Sequence, residues 1–405
     1  MAVAIVGAPN MHVEGGSARS YWTTWLATLI FFGGFYTLLV PLPRYLTGIG
    51  LPDWQVGLIL GAFGVASLLW RTVAGVGVDR WGSRPVMLVG AAALVVGASC
   101  VVLTTSPALL FVLRVLQAAG YVAFTTAGTA LIIELTLEEE RSRRLAIFGA
   151  AANVAIALAP AAATALLELV PLEVGFWTAG LLALLGGALA WGIQAPARER
   201  GAVRNWRQSV RFPRRLWLPM VMAGLFGAGF ASFFLFAPIL SERRNVTPGL
   251  LYTVYGIGII GTRIVGSRWL DRLGTVRALL VSAVLLGSGL ALAAFATTPL
   301  SLGVASLTIA AGSGIFHPVL IAHHARLLPG APGQATAGFY LGFDLGIGLG
   351  SWLFGIVLDL AGLTWLFLTA TILIALTVPL LPSLLRPRTA RASDRARSSI
   401  VSGRY

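Results

Sequence analysis

The sequence contains no lysine, a single cysteine (Cys100) and few charged residues, which make up 11% of its 405 residues. A soluble domain usually carries about 25% charged residues. One cysteine excludes an intrachain disulfide and a cysteine-rich metal site. Hydrophobic residues make up 57% of the chain and the mean hydropathy is +0.85. A water-soluble fold cannot cover that much apolar surface, so the composition excludes a soluble enzyme, a disordered chain and a collagen-like chain.

Long apolar runs dominate what is present. A helix needs about 20 apolar residues to cross a hydrocarbon layer of about 30 Å, and only helices and closed barrels satisfy the backbone in lipid. The alternating short strands of a barrel are absent. The sequence therefore predicts an all-α membrane protein with twelve transmembrane helices, at Trp22–Pro41, Trp54–Val78, Val86–Leu103, Ala108–Leu135, Ala146–Leu169, Val174–Ile193, Leu216–Leu240, Leu250–Leu270, Arg277–Phe295, Leu300–Ala322, Ala335–Leu358 and Leu363–Leu381.

Arginine supplies all 29 positive side chains, and the formal net charge is +14. With the N-terminus inside, 25 of these arginines fall on one side of the membrane. The positive-inside rule therefore predicts that both termini lie on the cytoplasmic side of a plasma membrane. We expect this charge to contact anionic headgroups and not nucleic acid, and no secretory signal is recognised before the first span. The cytoplasmic arginines are Arg19, those in Arg71–Arg84, Arg141–Arg144, Arg198–Arg215 and Arg263–Arg277, Arg326, and those from Arg386 onward.

The two halves of the sequence repeat one another. A shift of 192 overlays the segment from Arg71 to Gly82 on that from Arg263 to Gly274, and a shift of 191 brings Asn153 onto Asp344. Parallel six-helix repeats are the architecture of an alternating-access carrier. We therefore predict two pseudo-symmetric six-helix bundles, at residues 21–193 and 216–382, with a cytoplasmic N-terminal segment at 1–20, a basic cytoplasmic linker at 194–215 and a basic cytoplasmic tail at 383–405.

The loop between spans two and three, Gly75-x-x-x-Asp79-Arg80-x-Gly82-x-Arg84, resembles the signature loop of the major facilitator superfamily. In the second half, Asp271-Arg272-x-Gly274 resembles the usual degenerate copy of that loop. Arg114-x-x-Gln117-x-x-Gly120 resembles the arginine motif that the family carries in span four. The resemblance covers residues 20–382 and implies the major facilitator fold. It favours a prokaryotic exporter of small organic compounds that is coupled to inward proton flow.

Two features depart from the family's antiporters. The segment Asn153–Pro160 is weakly similar to their glycine–proline motif, but alanines such as Ala155 and Ala159 stand where glycines are usual. The acidic residue that many drug/proton antiporters carry in span one has no counterpart, because residues 21–45 contain no Asp or Glu. These departures weaken the antiporter interpretation, although alanine still permits close helix packing.

The signature loop is interpreted as a conformational latch. Asp79 and the neighbouring arginines would pair across helix ends in one state and separate in the other. Gly82 provides a tight turn, and Glu134 is the expected partner. The alternative is a turn whose arginines only hold the cytoplasmic side. The latch residues are Gly75, Asp79, Arg80, Gly82, Arg84, Glu134, Asp271, Arg272 and Gly274.

Span four carries a polar stripe at three- and four-residue spacing, which places its residues on one helix face. Charge inside a span is tolerated in a water-filled cavity, whereas the alternative for Arg114 is snorkelling to the outer interface. Aromatic residues from other spans suit amphipathic compounds. The predicted substrate cavity comprises Arg114, Gln117, Tyr121, Thr125, Asn153, Tyr36, Phe230, Phe233, Tyr255 and Tyr340.

Asp344 is the predicted proton-coupling carboxylate, because it lies about ten residues into span eleven. An ionised carboxylate isolated in hydrocarbon is costly, so Asp344 must pair, take up a proton or face water. A purely structural partnership with a nearby arginine or hydroxyl is the alternative. His317, beside Pro318, is a second candidate because histidine exchanges protons near neutral pH, unless it is simply packed.

No P-loop, G-x-S-x-G or H-E-x-x-H pattern occurs, and the four histidines have no acid at ligand spacing. We therefore expect no cofactor, no metal and no enzymatic activity, with the proton gradient as the energy source. The predicted function is secondary transport of a small molecule by a monomer, through proton-coupled efflux of a drug or metabolite. A proton-coupled importer, a uniporter and a non-transporting receptor are the alternatives.

Overall fold

The computed structural model describes residues 15–137, 140–193, 212–328 and 332–385, and every regular element in these ranges is helical. Side chains at 15–17, 141–143, 146, 264–272, 332–333 and 385 lie outside the description. The α-helices are α1 (Gly15–Thr37), α2 (Pro41–Gly48), α3 (Asp53–Trp81), α4 (Ser83–Ser99), α5 (Pro107–Glu134), α6 (Arg141–Leu167), α7 (Leu172–Trp191), α8 (Arg214–Arg243), α9 (Pro248–Phe295), α10 (Pro299–Leu327) and α11 (Pro332–Ala375), with 3₁₀ turns at Cys100–Leu103 and Val378–Leu385.

Proline and a capping box mark several helix starts. Proline occupies the first turn of α2, α5, α9 and α10, where its missing N–H costs nothing and its fixed φ suits the helix. At α10 the Thr298 side chain accepts a hydrogen bond from the Ser301 backbone N–H, and the Ser301 hydroxyl accepts one from the Thr298 N–H. These prolines and this capping box favour helix starts at these positions, so that one helix begins within a few residues of the end of the previous one.

Glycines with positive φ divide two long segments. Gly274 (φ 70) interrupts α9, and Gly362 (φ 81) interrupts α11, so each is a pair of helices joined at one glycine. Gly82 (φ 88) makes the equivalent turn between α3 and α4, as the repeat with Gly274 implies. Glycine reaches this backbone region without the steric cost of a Cβ. In the described ranges, ten segments are long and apolar enough to cross a membrane, and the count of twelve spans stays a prediction.

Some element bounds differ from those expected. The first span was predicted to run to Pro41, but α1 ends at Thr37 and Pro41 opens the separate short helix α2. The predicted linker ends at Arg215, but α8 already begins at Arg214. Residues 194–211 of that linker, and all but the first three residues of the predicted tail, lie outside the described residues.

The two halves of the chain meet along α3 and α11, where glycine backbones touch. A Cβ added at Gly57 would lie 2.5 Å from the Cα of Gly355, and one at Gly64 would lie 2.8 Å from the Cα of Gly348. The Ser351 hydroxyl also donates to the Gly57 carbonyl at 3.1 Å. Small residues allow this approach where no hydrophobic force drives helices together in lipid. We call this contact the first seam.

A second seam joins α6 to α9. A Cβ at Gly256 would lie 2.7 Å from the Cα of Ala157, and one at Gly249 would lie 3.0 Å from the Cβ of Thr164. The two seams involve the repeat-related helices of each half. The bundles therefore touch through two matching pairs of helices.

Two ion pairs join the halves at one end of both seams. The Arg44 guanidinium lies 2.6 Å from Glu242, and the Arg243 guanidinium lies 2.6 Å from Asp53. One pair places the arginine in the first half and the other places it in the second. We call these four residues the clamp, and this end of the molecule the clamp end.

The opposite end, which carries Arg80 and Arg326, is called the basic end. Beyond the seams in this direction, a Cβ added at Gly75, Gly149 or Gly261 would meet no described atom within 4 Å. These glycines lie on α3, α6 and α9, the same helices that touch nearer the clamp. Among the described residues, the halves are therefore in contact at the clamp end, and the same helices make no such close contact at these glycines toward the basic end.

Candidate substrate and coupling site

An ion pair bridges the two halves beyond the first seam. The Arg71 Nε and Nη2 atoms donate to Asp344 Oδ2 at 2.9 and 2.8 Å. Asp344 is only 4% exposed, and the Arg71 guanidinium lies 4.7 Å from the centre of the Tyr340 ring. The carboxylate therefore has a charge-assisted double contact, the strong form of a side-chain hydrogen bond.

This geometry assigns Arg71 differently from the sequence. The charge count placed Arg71 with the cytoplasmic arginines, but its side chain reaches the Asp344 carboxylate between the bundles. The sequence left open a partnership of Asp344 with some arginine, and the structure identifies that arginine. The repeat carried a clue that the sequence interpretation did not use, since Arg71 overlays another arginine, Arg263.

Tyrosines from both halves gather beside the pair. Tyr36 interacts with Tyr121 in its own half, and electrostatically with Tyr340 and Tyr255 in the other. Tyr121 also interacts electrostatically with Arg71 and Asp344, and its ring centre lies 4.5 Å from that of Phe35. Four residues predicted for the cavity, Tyr36, Tyr121, Tyr255 and Tyr340, are thus brought together between the bundles.

Arg114 is held inside the first bundle. It is 3% exposed and donates from Nη1 to Gln117 Oε1 at 2.8 Å. Gln117 in turn donates from Nε2 to the Gly97 carbonyl at 2.7 Å. The guanidinium lies 5.2 and 5.9 Å from the ring centres of Phe63 and Phe35, within cation–π range. Arg114 therefore does not snorkel, and the fully buried Gln117 positions it.

The other predicted cavity residues lie at different depths. Phe233 is 1% exposed and stacks on Tyr255 with ring centres 5.7 Å apart. Phe230 is half-buried and packs against Phe343 at 5.5 Å. The Thr125 hydroxyl donates to the Val122 carbonyl of its own helix. Phe233 thus supports the site from behind, while Phe230 is placed closer to the space between the halves.

His317 lies in an aromatic pocket of the second bundle. Its ring centre is 4.9 Å from Phe339, 5.8 Å from Phe343 and 6.0 Å from Tyr340. It also interacts electrostatically with Arg263. The two predicted proton carriers, His317 and Asp344, are therefore both neighbours of Tyr340.

Arg263 is a second candidate arginine that the sequence interpretation did not single out. It is half-buried on α9, and its buried Nε has no hydrogen-bond partner among the described residues. Its charge acts on Tyr255 and Tyr340. The predicted cavity residue Asn153 donates only to the Gly149 carbonyl of its own helix, at 3.2 Å. Among the described residues, no carboxylate pairs with Arg263 as Asp344 pairs with Arg71.

The latch residues are described in part. The Arg80 guanidinium lies 5.9 Å from the Trp81 ring and that of Arg84 lies 5.3 Å from Trp191. Asp79 and Glu134 each have an interaction partner. The side chains of two further latch residues, at positions 271 and 272, lie outside the description. The alternation of the latch between two states stays a prediction.

In the described ranges, no three His, Cys, Asp or Glu side chains lie close enough together to hold a metal ion.

The chain matches the sequence pattern described as Major Facilitator Superfamily over residues 24–248 and 246–402. It is 26% identical to the inner membrane transport protein YajR of Escherichia coli over 47% of this chain and 43% of that protein. It is 31% identical to a chloramphenicol resistance protein of Pseudomonas aeruginosa over 45% and 42% of the two chains. It is 22% identical to the staphylopine export protein of Staphylococcus aureus over 94% and 100%. The matches to YajR and to the resistance protein thus span less than half the length of those relatives.

Solved structures share the fold. A single-residue mutant of the nucleoside transporter NupG superposes with a TM-score of 0.77 at 13% identity, covering 91% of this chain and 100% of that one. The human organic anion transporter MFSD10 superposes with a TM-score of 0.67 at 19% identity, with the same coverage.

Proposed function

Because the chain belongs to the major facilitator superfamily, we propose that it is an alternating-access carrier that expels small organic molecules in exchange for protons. The observation that carries this proposal is the Arg71–Asp344 ion pair, with N–O distances of 2.8 and 2.9 Å between the two halves. A group that couples proton flow to rocking must change charge where the bundles meet. Asp344 is in that position.

The coupling works through the strength of this pair. While Asp344 is ionised, its attraction for Arg71 holds α11 against α3. Protonation removes the negative charge and most of the attraction, so the halves are released to separate. Proton binding to Asp344 thereby weakens the contact between the bundles, and by thermodynamic linkage separation of the bundles in turn changes the affinity of Asp344 for a proton. Tyr340 lies against the Arg71 guanidinium. A substrate that contacts Tyr340 therefore also changes the strength of the Arg71–Asp344 ion pair.

The arrangement of the bundles supports an inward-open state. The clamp closes one end with two ion pairs of 2.6 Å, while Gly75, Gly149 and Gly261 toward the basic end have no close contact with a described residue. The positive-inside rule assigns the basic end to the cytoplasm. In this state the site receives substrate from the cytoplasm, and rocking opens the clamp to release it outside. The signature loop would then latch the basic end.

Efflux is favoured by the names of the relatives. One is called a chloramphenicol resistance protein, and another, matched along nearly the whole chain, a staphylopine export protein. A site lined by tyrosine and phenylalanine suits organic molecules with apolar surface. His317 is a candidate for the route by which protons leave Asp344.

Transport in inside-out vesicles tests the proposal. Vesicles with an acidic lumen are supplied with three probes, ethidium, chloramphenicol and 4-phenylbutyrate, which differ in charge. We expect at least one probe to accumulate in the lumen and to raise the luminal pH as it enters. Asp344→Asn should abolish this accumulation while leaving probe binding in place, because it removes the titratable group and not the aromatic surface.

Asp359→Asn is the matched control, since Asp359 is an exposed acid on the same helix. It should transport like the wild type. Accumulation that persists after a protonophore collapses the gradient would exclude proton coupling. Accumulation only in right-side-out vesicles would make the protein an importer.

A further inference from the structure

Arg71 and Arg263 occupy equivalent places in the two seams. In the first seam Gly64 touches Gly348. Arg71 lies seven residues after Gly64, and Asp344 lies four residues before Gly348. These offsets carry the two side chains beyond the close backbone contact, toward the basic end, where they meet.

The second seam repeats this register with one change of residue. Gly256 touches Ala157. Arg263 lies seven residues after Gly256, and Asn153 lies four residues before Ala157. By register, position 153 is therefore the counterpart of Asp344, and Arg263 is the counterpart of Arg71. The sequence holds an uncharged amide there, so one seam has an internal ion pair and the other has a cation whose expected counter-charge is missing.

The surroundings of Arg263 are polar and are not satisfied by the protein. Its buried Nε has no hydrogen-bond partner among the described residues, and the buried hydroxyls of Tyr255 and Ser313 make only a weak hydrogen-bond contact with each other. Tyr255 is 0% and Ser313 is 2% exposed. Buried polar groups are nearly always paired, and each unpaired one costs roughly 1–3 kcal/mol. An unpaired guanidinium nitrogen beside two hydroxyls that are weakly bonded only to each other is best explained by a bound molecule that accepts hydrogen bonds.

We propose that the substrate is an organic anion whose carboxylate binds Arg263, in the place that Asp344 takes on Arg71. The inference rests on the proposed carrier function for its biological meaning, but it concerns binding alone. Arg263 supplies the charge, because a guanidinium matches a carboxylate with two parallel N–H donors. Tyr255 and Ser313 supply hydroxyl donors.

The rest of the ligand must be apolar or aromatic. Tyr340 from α11 and His317 from α10 both interact with Arg263, and the His317 ring packs on Phe339 and Phe343. An inorganic anion would leave this aromatic surface uncovered. The carboxylate of a small aromatic acid satisfies both the cation and the rings.

Asn153 then acts as a specificity residue. Its amide leaves the Arg263 charge available to an incoming ligand, whereas an aspartate at that position would neutralise it as Asp344 neutralises Arg71. Asn153→Asp should therefore convert the second seam into a copy of the first and exclude an anionic ligand by competition.

Equilibrium binding to the purified full-length protein in phosphatidylcholine nanodiscs tests this proposal, since such a bilayer offers no anionic lipid as a competitor. The probes are 4-phenylbutyrate, its neutral amide and the cation 4-phenylbutylamine, which share one apolar part. We expect the carboxylate to bind at least about tenfold more tightly than the amide. Arg263→Gln and Asn153→Asp should each remove this preference. Asn153→Asp should also improve binding of the amine.

Arg277→Gln is the control, because it removes an exposed arginine of α9 that lies beyond the break at Gly274, and it should leave all three affinities unchanged. Equal binding of the three probes, failure of the folded wild type to bind 4-phenylbutyrate, or full carboxylate affinity in Arg263→Gln overturns the proposal. Competition of sodium chloride or inorganic phosphate as strong as that of the organic acid would show a site for simple anions, and overturns it too. Binding requires no gradient, so a carrier that binds the acid but does not couple to protons fails only the proposed function.

Discussion

Arg71 and Asp344 are 273 residues apart in the chain, and their side chains meet at 2.8 Å. One belongs to the first bundle and the other to the second. Asp344 is buried while Arg71 keeps 26% of its side chain exposed, so the pair has one partner inside the protein and one that faces the space between the halves. The pair is therefore neither fully enclosed in the protein nor a surface salt bridge.

Exchanging the two charges tests whether the attraction between residues 71 and 344 is enough for transport, or whether the carboxylate must lie at position 344. Arg71→Ala leaves a buried carboxylate unpaired and should lower the free energy of unfolding by about 3 kcal/mol. The double variant Arg71→Asp with Asp344→Arg restores the attraction and should recover most of that stability, measured by thermal unfolding. It should not recover gradient-driven transport, because the carboxylate then lies on α3. Full transport by the double variant would show that attraction alone suffices.

The clamp should control which end opens. Arg44→Ala with Arg243→Ala removes both ion pairs, and each exposed pair contributes roughly 0.2–1 kcal/mol. Stability should therefore change little, while the clamp end opens more often. Distances between spin labels on cysteines placed near Glu242 and Asp53 measure this, with Cys100→Ser as background. Glu140→Gln, which breaks an ion pair within one half, is the control. Unchanged distances after removal of both pairs would mean that the seams alone hold this end.

The first seam should tolerate no added methyl group. In Gly64→Ala the new Cβ would lie 2.8 Å from the Cα of Gly348. Such overpacking costs about 2 kcal/mol, a roughly thirtyfold shift away from the state with a closed clamp. We expect transport to fall sharply and labels at the clamp end to become accessible. Gly303→Ala, where a Cβ meets nothing within 4 Å, should transport normally. Equal behaviour of the two variants would contradict a close seam.

Gln117 should matter for stability through Arg114. Gln117→Leu removes the acceptor for the guanidinium and the donor for the Gly97 carbonyl, leaving two buried groups unsatisfied at roughly 1–3 kcal/mol each. The melting temperature should fall by several degrees. Thr125→Val is the control, because that hydroxyl bonds only a carbonyl of its own helix. If both variants melt alike, Gln117 does not position Arg114.

The helical fold and its division into two halves followed from the sequence. Apolar runs and the repeat depend only on composition and on spacing along the chain, and both can be seen directly in the sequence. The breaks at Gly82 and Gly274 were also foreseeable, because the repeat places the same residue at the same turn. The ends were less clear: nothing in the apolar run shows that Pro41 opens a new helix.

The sequence predicted several residues of the site but not which of them contact one another. Asp344 stood out because a carboxylate inside a span is rare, but its partner depended on which helices of the two halves touch. Arg71 looked like one more cytoplasmic arginine until α3 was packed against α11. Likewise, the sequence placed Gln117 in the lining of the substrate cavity. Helix spacing shows on which face of a helix a residue lies, but not how deeply its side chain is buried in the bundle. Arg263 acquired meaning only when the register of the second seam was known.

The seams also have a common period. Gly57 and Gly64 are seven residues apart, and so are their contacts Gly355 and Gly348; in the second seam the contacts of Gly249 and Gly256 on α6 are likewise seven apart. A seven-residue step is that of a left-handed coiled coil, in which two helices keep the same sides in contact by winding around each other. Each seam therefore keeps one side of each helix in contact at this step, with glycine on both helices of the first seam and on α9 in the second, and we expect the bundles to part by unwinding these contacts.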